Sequence, residues 1–188
     1  MLKNFSVANF RSIKNPASLS CIKEKGNEME NSLIPFRNQL ILPELMILGP
    51  NGSGKSNIIK AISVSRNILQ TSSTRTDEST IPGIQPYAFD SEARTAPVEF
   101  EYEITIENET YIYGFSAKEK KIVKEYLYRF KTNRPSLIFN RNEEEYEFTK
   151  KNEAHYSEYI KKILKISFFF LQPRLGKIKF AKKYITRL

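Results

Sequence analysis

The 188-residue chain predicts an α/β fold, in which a strand–loop–helix unit leads into an antiparallel β-meander. Two observations carry this expectation. The uncharged run Leu45-Met46-Ile47-Leu48 stops abruptly at Gly49, as a buried parallel strand does, and a helical apolar pattern begins a few residues later at Lys55. Farther on, Val98, Phe100, Tyr102, Ile104 and Ile106 alternate with Glu99, Glu101, Glu103, Thr105 and Glu107, a period of two over ten residues. That period belongs to a strand with one face in water.

The remaining elements follow in chain order. Residues 2–11 alternate loosely around Phe5, Val7 and Phe10 and read as a strand, and a shorter strand is expected over 17–21. Gly26, Asn27 and Asn31 mark a polar surface loop. Ile58, Ile59, Ile62 and Leu69 recur at helical spacing after Lys55, and the helix ends before the linker Thr71-Ser72-Ser73-Thr74. Asn108-Glu109 reads as a turn, with Tyr111, Tyr113 and Phe115 on the return strand. Tyr126, Tyr128 and Phe130 form another alternating set. Leu137-Ile138-Phe139 and Tyr146-Phe148 then form a hairpin around the charged turn Glu143-Glu144-Glu145. A helix over 153–165 would bury Tyr156, Tyr159, Ile160 and Ile163, and 166–171 reads as a further buried strand. The chain thus divides into a strand–loop–helix region (1–70), a linker (71–97), the meander (98–150) and a helix, strand and basic tail (151–188).

Composition narrows the function classes. No apolar run approaches the ~20 residues a membrane-spanning helix needs, and the N-terminus has no secretory pattern, so a cytoplasmic location is expected. The single Cys21 and single His155 exclude an internal disulfide and a zinc site built from these residue types. The net charge of +9 is concentrated at one end: nine of the 30 basic residues lie after Glu158, and the other 21 balance 21 acidic ones. The basic segment 161–188 therefore reads either as a nucleic-acid contact or as an exposed end whose acidic partner surface is elsewhere.

The segment Gly49-Pro50-Asn51-Gly52-Ser53-Gly54-Lys55-Ser56 satisfies G-x-x-x-x-G-K-[ST] at every position. Glycines without Cβ let consecutive backbone N–H groups line an anion cup, and the following helix adds its positive end. Lys55 is placed to reach the β- and γ-phosphates of a purine nucleoside triphosphate, and Ser56 to offer a hydroxyl to Mg²⁺. Asn57 adjoins the same cup. The expected ligand is Mg-ATP.

The stretch LMILGPNGSGKSNIIKAI, with VANFRSIKN before it, resembles the ABC-type P-loop ATPases of the SMC, RecF and OLD-like groups. PYAFDSEARTAPVEFEYEI and YIYGFSAKEKKIVKEYLYRF are most similar to OLD-like AAA-family ATPases of abortive infection and anti-phage defence. The resemblance implies the N-terminal lobe of a P-loop NTPase (ABC-ATPase-like) head, carrying the meander as a subdomain inserted after the first helix. It implies that Arg11, in Asn9-Phe10-Arg11-Ser12, contacts the nucleotide or couples its state to the fold; a surface cation at a strand end is the alternative. It makes Gln172 a Q-loop glutamine near Mg²⁺ and the attacking water, or else a generic polar residue, with Gln85 a second candidate. A signature motif and an acidic Walker B pair do not occur, so a homodimer partner, a complementing second lobe or an effector protein is expected, with slow ATP turnover by this chain.

Two rival functions share these features. One is a DNA-repair ATPase of the SMC or RecF kind using its basic surface; the other is a non-catalytic interaction module that nucleotide merely orders. Metal-binding carboxylates at Glu143–Glu145 read better as a charged turn. Tyr102, Tyr111, Tyr113, Tyr126 and Tyr128 read better as sheet packing than as a base-stacking platform.

Overall fold

The computed structural model describes residues 1–24, 26, 30–71, 80–132 and 134–149. The expected helix over 153–165, the strand over 166–171, Gln172, the basic segment 161–188 and most of the Ser/Thr-rich linker lie outside the described residues.

Seven strands form one sheet: β1 (Leu2–Ala8), β2 (Ala17–Ser20), β5 (Val98–Ile106), β6 (Glu109–Lys118), β7 (Lys121–Phe130), β8 (Ser136–Asn142) and β9 (Glu145–Phe148). Their order is β2-β1-β5-β6-β7-β8-β9, and every neighbouring pair is antiparallel. A hairpin of β3 (Ile34–Phe36) and β4 (Gln39–Ile41) is joined to the segment that follows β2 by an Ile22–Ile41 bridge. The helices are α1 (Lys55–Thr71) and the short α2 (Ser91–Thr95). The expected meander is present, but it is not set apart as an insertion. β1 pairs with β5, so the N-terminal strands and the meander share one hydrogen-bonded layer.

The register explains the core. Phe5, Tyr102, Tyr113, Leu127, Phe139 and Phe148 stand opposite one another across six strands, and the first five of them are fully buried. The adjacent same-face row is Val7, Phe100, Phe115, Glu125, Arg141 and Tyr146. The opposite face carries Ser6, Glu101, Gly114, Tyr126, Asn140 and Glu147 in register. Tyr126 and Tyr128 thus face away from Tyr102 and Tyr113, and the tyrosines form no common platform.

In β7 the aromatic alternation of Tyr126, Tyr128 and Phe130 marks the outer face, while Glu125 and Leu127 face inward. A fully buried carboxylate is tolerated because its charge is matched in place. Tyr113 donates its hydroxyl to Glu125 at 3.1 Å, and the Arg141 guanidinium lies 3.8 Å from the other carboxylate oxygen. Arg141 also donates its Nε to the Glu143 carbonyl at 2.8 Å and lies over the Tyr146 ring.

Helix α1 covers the apolar face beside β1 and β5, with Ala61, Ser65, Ile68 and Leu69 buried. The buried stripe therefore differs from the one expected from Ile58, Ile59, Ile62 and Leu69, and Ile59 is exposed. A serine displaces an isoleucine because its hydroxyl is satisfied there. Ser65 Oγ donates to the Ile62 carbonyl, and the Tyr102 hydroxyl lies 2.5 Å from it.

The expected buried parallel strand at 45–48 is not formed. These residues lie outside any strand or helix, and Met46 and Leu48 are 82% and 80% exposed. A strand needs neighbours for its N–H and C=O groups, and none of the described strands lies beside this run. The described structure is accordingly mixed α/β but dominated by an antiparallel sheet. The β5–β6 turn is Glu107-Asn108, one residue earlier than expected, with Glu107 at φ 55°. Among the described residues, no helix is long and apolar enough to cross a membrane.

Candidate functional site: the glycine loop and the turn beside it

The loop Gly49–Ser56 leads directly into α1, whose first residue is Lys55. Gly52 and Gly54 have φ of 81° and 92°, values that side-chain-bearing residues avoid. A Cβ on Gly54 would sit 3.5 Å from Ser12 Oγ, and one on Gly49 would sit 3.0 Å from Ser53 Oγ. Pro50, Asn51, Gly52 and Ser53 are exposed at the loop's outer edge, and Ser53 N–H donates to the Pro50 carbonyl at 3.3 Å. The 17-residue helix leaves its first N–H groups without helical acceptors and places the positive end of its dipole at the loop.

Lys55 folds back across the loop. Its Nζ donates to the carbonyls of Gly49 at 2.6 Å and Pro50 at 2.8 Å. Ser56 is exposed in the first turn of α1. Asn57 N–H donates to the Gly54 carbonyl at 2.8 Å, and its side-chain Nδ2 donates to Ser12 Oγ at 2.6 Å. The Asn9–Ser12 motif is thereby brought against the glycine loop, a contact between residues more than forty positions apart in sequence.

The motif sits on a tight turn. Phe10 and Ile13 exchange backbone hydrogen bonds at 2.8 Å, and Asn9 N–H donates to the Lys14 carbonyl at 3.1 Å. Asn9 and Arg11 have φ of 53° and 52°. Arg11 N–H donates to the Gln85 carbonyl at 2.8 Å, its guanidinium lies over the buried Phe10 ring, and its Nε is buried without a hydrogen-bond partner. Gln85 thus takes part through its backbone; its side chain is exposed. Gln172 lies outside the described residues.

Asn9 has a role that the motif alone did not disclose. Its Nδ2 donates to the carbonyls of Ala93 (2.7 Å), Ala96 (3.1 Å) and Pro97 (3.1 Å), and its Oδ1 accepts from Tyr87 N–H at 3.0 Å. Lys14 donates to Asp90 at 2.7 Å, and Asp90 caps α2 through Ala93 N–H. The Lys14 hydrogen bond holds the Asp90 carboxyl below its ordinary pKa. The one available signal was Asn in a motif needing a left-handed residue.

The residues present fit a polyphosphate with a divalent cation. The glycine positions would be obstructed or strained by side chains, one ammonium sits across the loop, one hydroxyl stands at the helix start, and one guanidinium nitrogen nearby has no partner. Elsewhere, Glu143 lies in a turn and pairs with Lys121 at 2.6 Å, while Glu145 begins β9. Among the described residues no group of His, Cys, Asp and Glu is arranged to hold a metal.

This loop and the helix it opens define the chain as a P-loop ATPase domain of the AAA type. Residues 45–180 match the family described as "AAA domain, putative AbiEii toxin, Type IV TA system", and the chain belongs to that family. The matched stretch takes in the glycine loop, α1 and the whole meander. No curated protein matches the chain.

Proposed function

We propose that the chain binds Mg-ATP at Gly49–Ser56 and that nucleotide occupancy drives dimerisation in a bacterial anti-phage defence protein of the OLD-like kind. The observation that supports nucleotide binding best is the single constellation at the start of α1: left-handed glycines, a helix N-terminus and Lys55 held across the loop. In this reading Lys55 exchanges its two loop carbonyls for β- and γ-phosphate oxygens, and Ser56 turns its hydroxyl to the cation. Arg11, whose Nε has no partner, supplies a second positive group from the adjoining turn. Bound Mg²⁺ would neutralise charge developing on the transferred phosphoryl group. The abortive-infection element in the family description favours a defence role over DNA repair.

Calorimetric titration with Mg-ATP tests the binding step. The wild-type chain should bind and gain about 2.7 kcal/mol of stability at a hundredfold excess of ligand over Kd. Lys55→Ala should lose both effects. Phosphate release by the chain alone should stay near background; brisk turnover that Lys55→Ala abolishes would refute the slow-turnover expectation. Light scattering tests the switch, since a mass unchanged by saturating Mg-ATP refutes nucleotide-driven dimerisation.

A further inference from the structure

Asn57 belongs to two units at once. Its backbone N–H donates to the Gly54 carbonyl at 2.8 Å, within the glycine loop, while its side-chain Nδ2 donates to Ser12 Oγ at 2.6 Å, on the neighbouring turn. Ser12 Oγ also stands 3.5 Å from where a Cβ on Gly54 would lie, an ordinary van der Waals contact. Loop and turn thus meet through side chains 45 positions apart.

The residue this joint holds in place is the one before Ser12. Arg11 is a single Cα–Cα step of about 3.8 Å from Ser12. Its N–H is tied to the Gln85 carbonyl at 2.8 Å, and its backbone is fixed at φ 52°. Only its side chain is left to move. The guanidinium lies over the Phe10 ring with a buried Nε that has no hydrogen-bond partner. A buried donor without an acceptor carries a free-energy cost that an arriving anion can relieve.

We infer that Ser12 and Asn57 are a positioning pair: their hydrogen bond fixes the turn against the start of α1 and so holds Arg11 where its guanidinium meets the bound polyphosphate. The inference rests on the proposed binding of Mg-ATP at Gly49–Ser56, with Arg11 as its second positive group. It adds the two residues that set that group in place. The pair acts through Arg11, and its contribution to affinity disappears when the guanidinium does.

Calorimetric titration of the full chain with Mg-ATP tests the pair. Ser12→Ala removes the acceptor and should weaken binding roughly three- to tenfold, the share of one hydrogen bond. Asn57→Ala, which removes the donor, should weaken it as well. Ser12→Thr keeps the oxygen and should bind like wild type. Arg11→Ala should also bind more weakly, and in that background Ser12→Ala should add less than about twofold. A merely structural bond would lower affinity by the same factor in both backgrounds. The pair is refuted, with nucleotide binding left standing, if Ser12→Ala, Asn57→Ala or Arg11→Ala binds as tightly as wild type. It is equally refuted if Ser12→Thr fails to restore affinity, or if the Ser12→Ala loss persists in full without Arg11. A Ser12→Ala chain that does not fold shows the bond to be structural and also overturns the inference. If wild type gives no heat with Mg-ATP, the phosphate-site reading itself fails.

Discussion

Replacing Asn9 with alanine removes the side chain that fastens the turn beside the glycine loop to the 87–97 segment. Asn9 is 8% exposed, and its amide serves three carbonyls and one N–H. Two amide hydrogens cannot fully serve three acceptors, so the loss amounts to about three hydrogen bonds of roughly 1 kcal/mol each. Asn9 also sits at φ 53°, where alanine adds about 1 kcal/mol of left-handed strain. Together Asn9→Ala should destabilise the chain by about 3–4 kcal/mol, lowering Tm by roughly 6–16 °C for a chain of this size. Asn9→Gly relieves the backbone strain but not the hydrogen-bond loss, so it should recover about 1 kcal/mol. Urea unfolding followed by circular dichroism measures both variants. A loss under about 1 kcal/mol for Asn9→Ala, or glycine no better than alanine, would refute the clamp as argued.

The Gly114–Tyr126 contact and the buried tyrosines yield two further expectations. A Cβ at Gly114 would lie 2.1 Å from Tyr126 Cζ, displacing a ring whose hydroxyl donates to Glu101 at 2.6 Å. Gly114→Ala should therefore cost about 1–2 kcal/mol in wild type, yet become neutral or stabilising by about 0.5–1 kcal/mol in a Tyr126→Ala background, where only glycine's entropy remains; equal effects in the two backgrounds would show that the ring does not need the glycine. Burial pushes Tyr102, Tyr111 and Tyr146 up to about 12, and pushes Tyr113 well above its ordinary value. Because these folded-state values are raised, the stability they confer is complete below pH 10 and is lost as pH climbs towards 12. Tyrosinate absorbance should thus lag behind that of free tyrosine and then rise together with unfolding, whereas a simple titration near 10 with the fold intact would contradict the burial.

The glycine loop and its helix were legible because both depend on local rules. Positive φ demands glycine at 52 and 54, and a helix start depends on the next few residues. The 98–106 strand was equally legible, because a sheet with one wet face writes its period directly into the chain. Four features were decided only by tertiary structure. Glu125 points inward in β7 because Arg141 and Tyr113, from neighbouring strands, are there to meet it. Ser65 replaces Ile59 in the buried stripe because Tyr102 offers a hydroxyl. The 45–48 run is apolar enough for a buried strand, but pairing requires neighbours that none of the described strands supplies. The Asn9–Ser12 motif was visible as letters, yet its placement against Gly54 and the 85–97 segment arises from contacts across 40 to 90 residues of chain. Period, glycine and charge are properties of short stretches; which partner satisfies a buried polar group is a property of the folded whole.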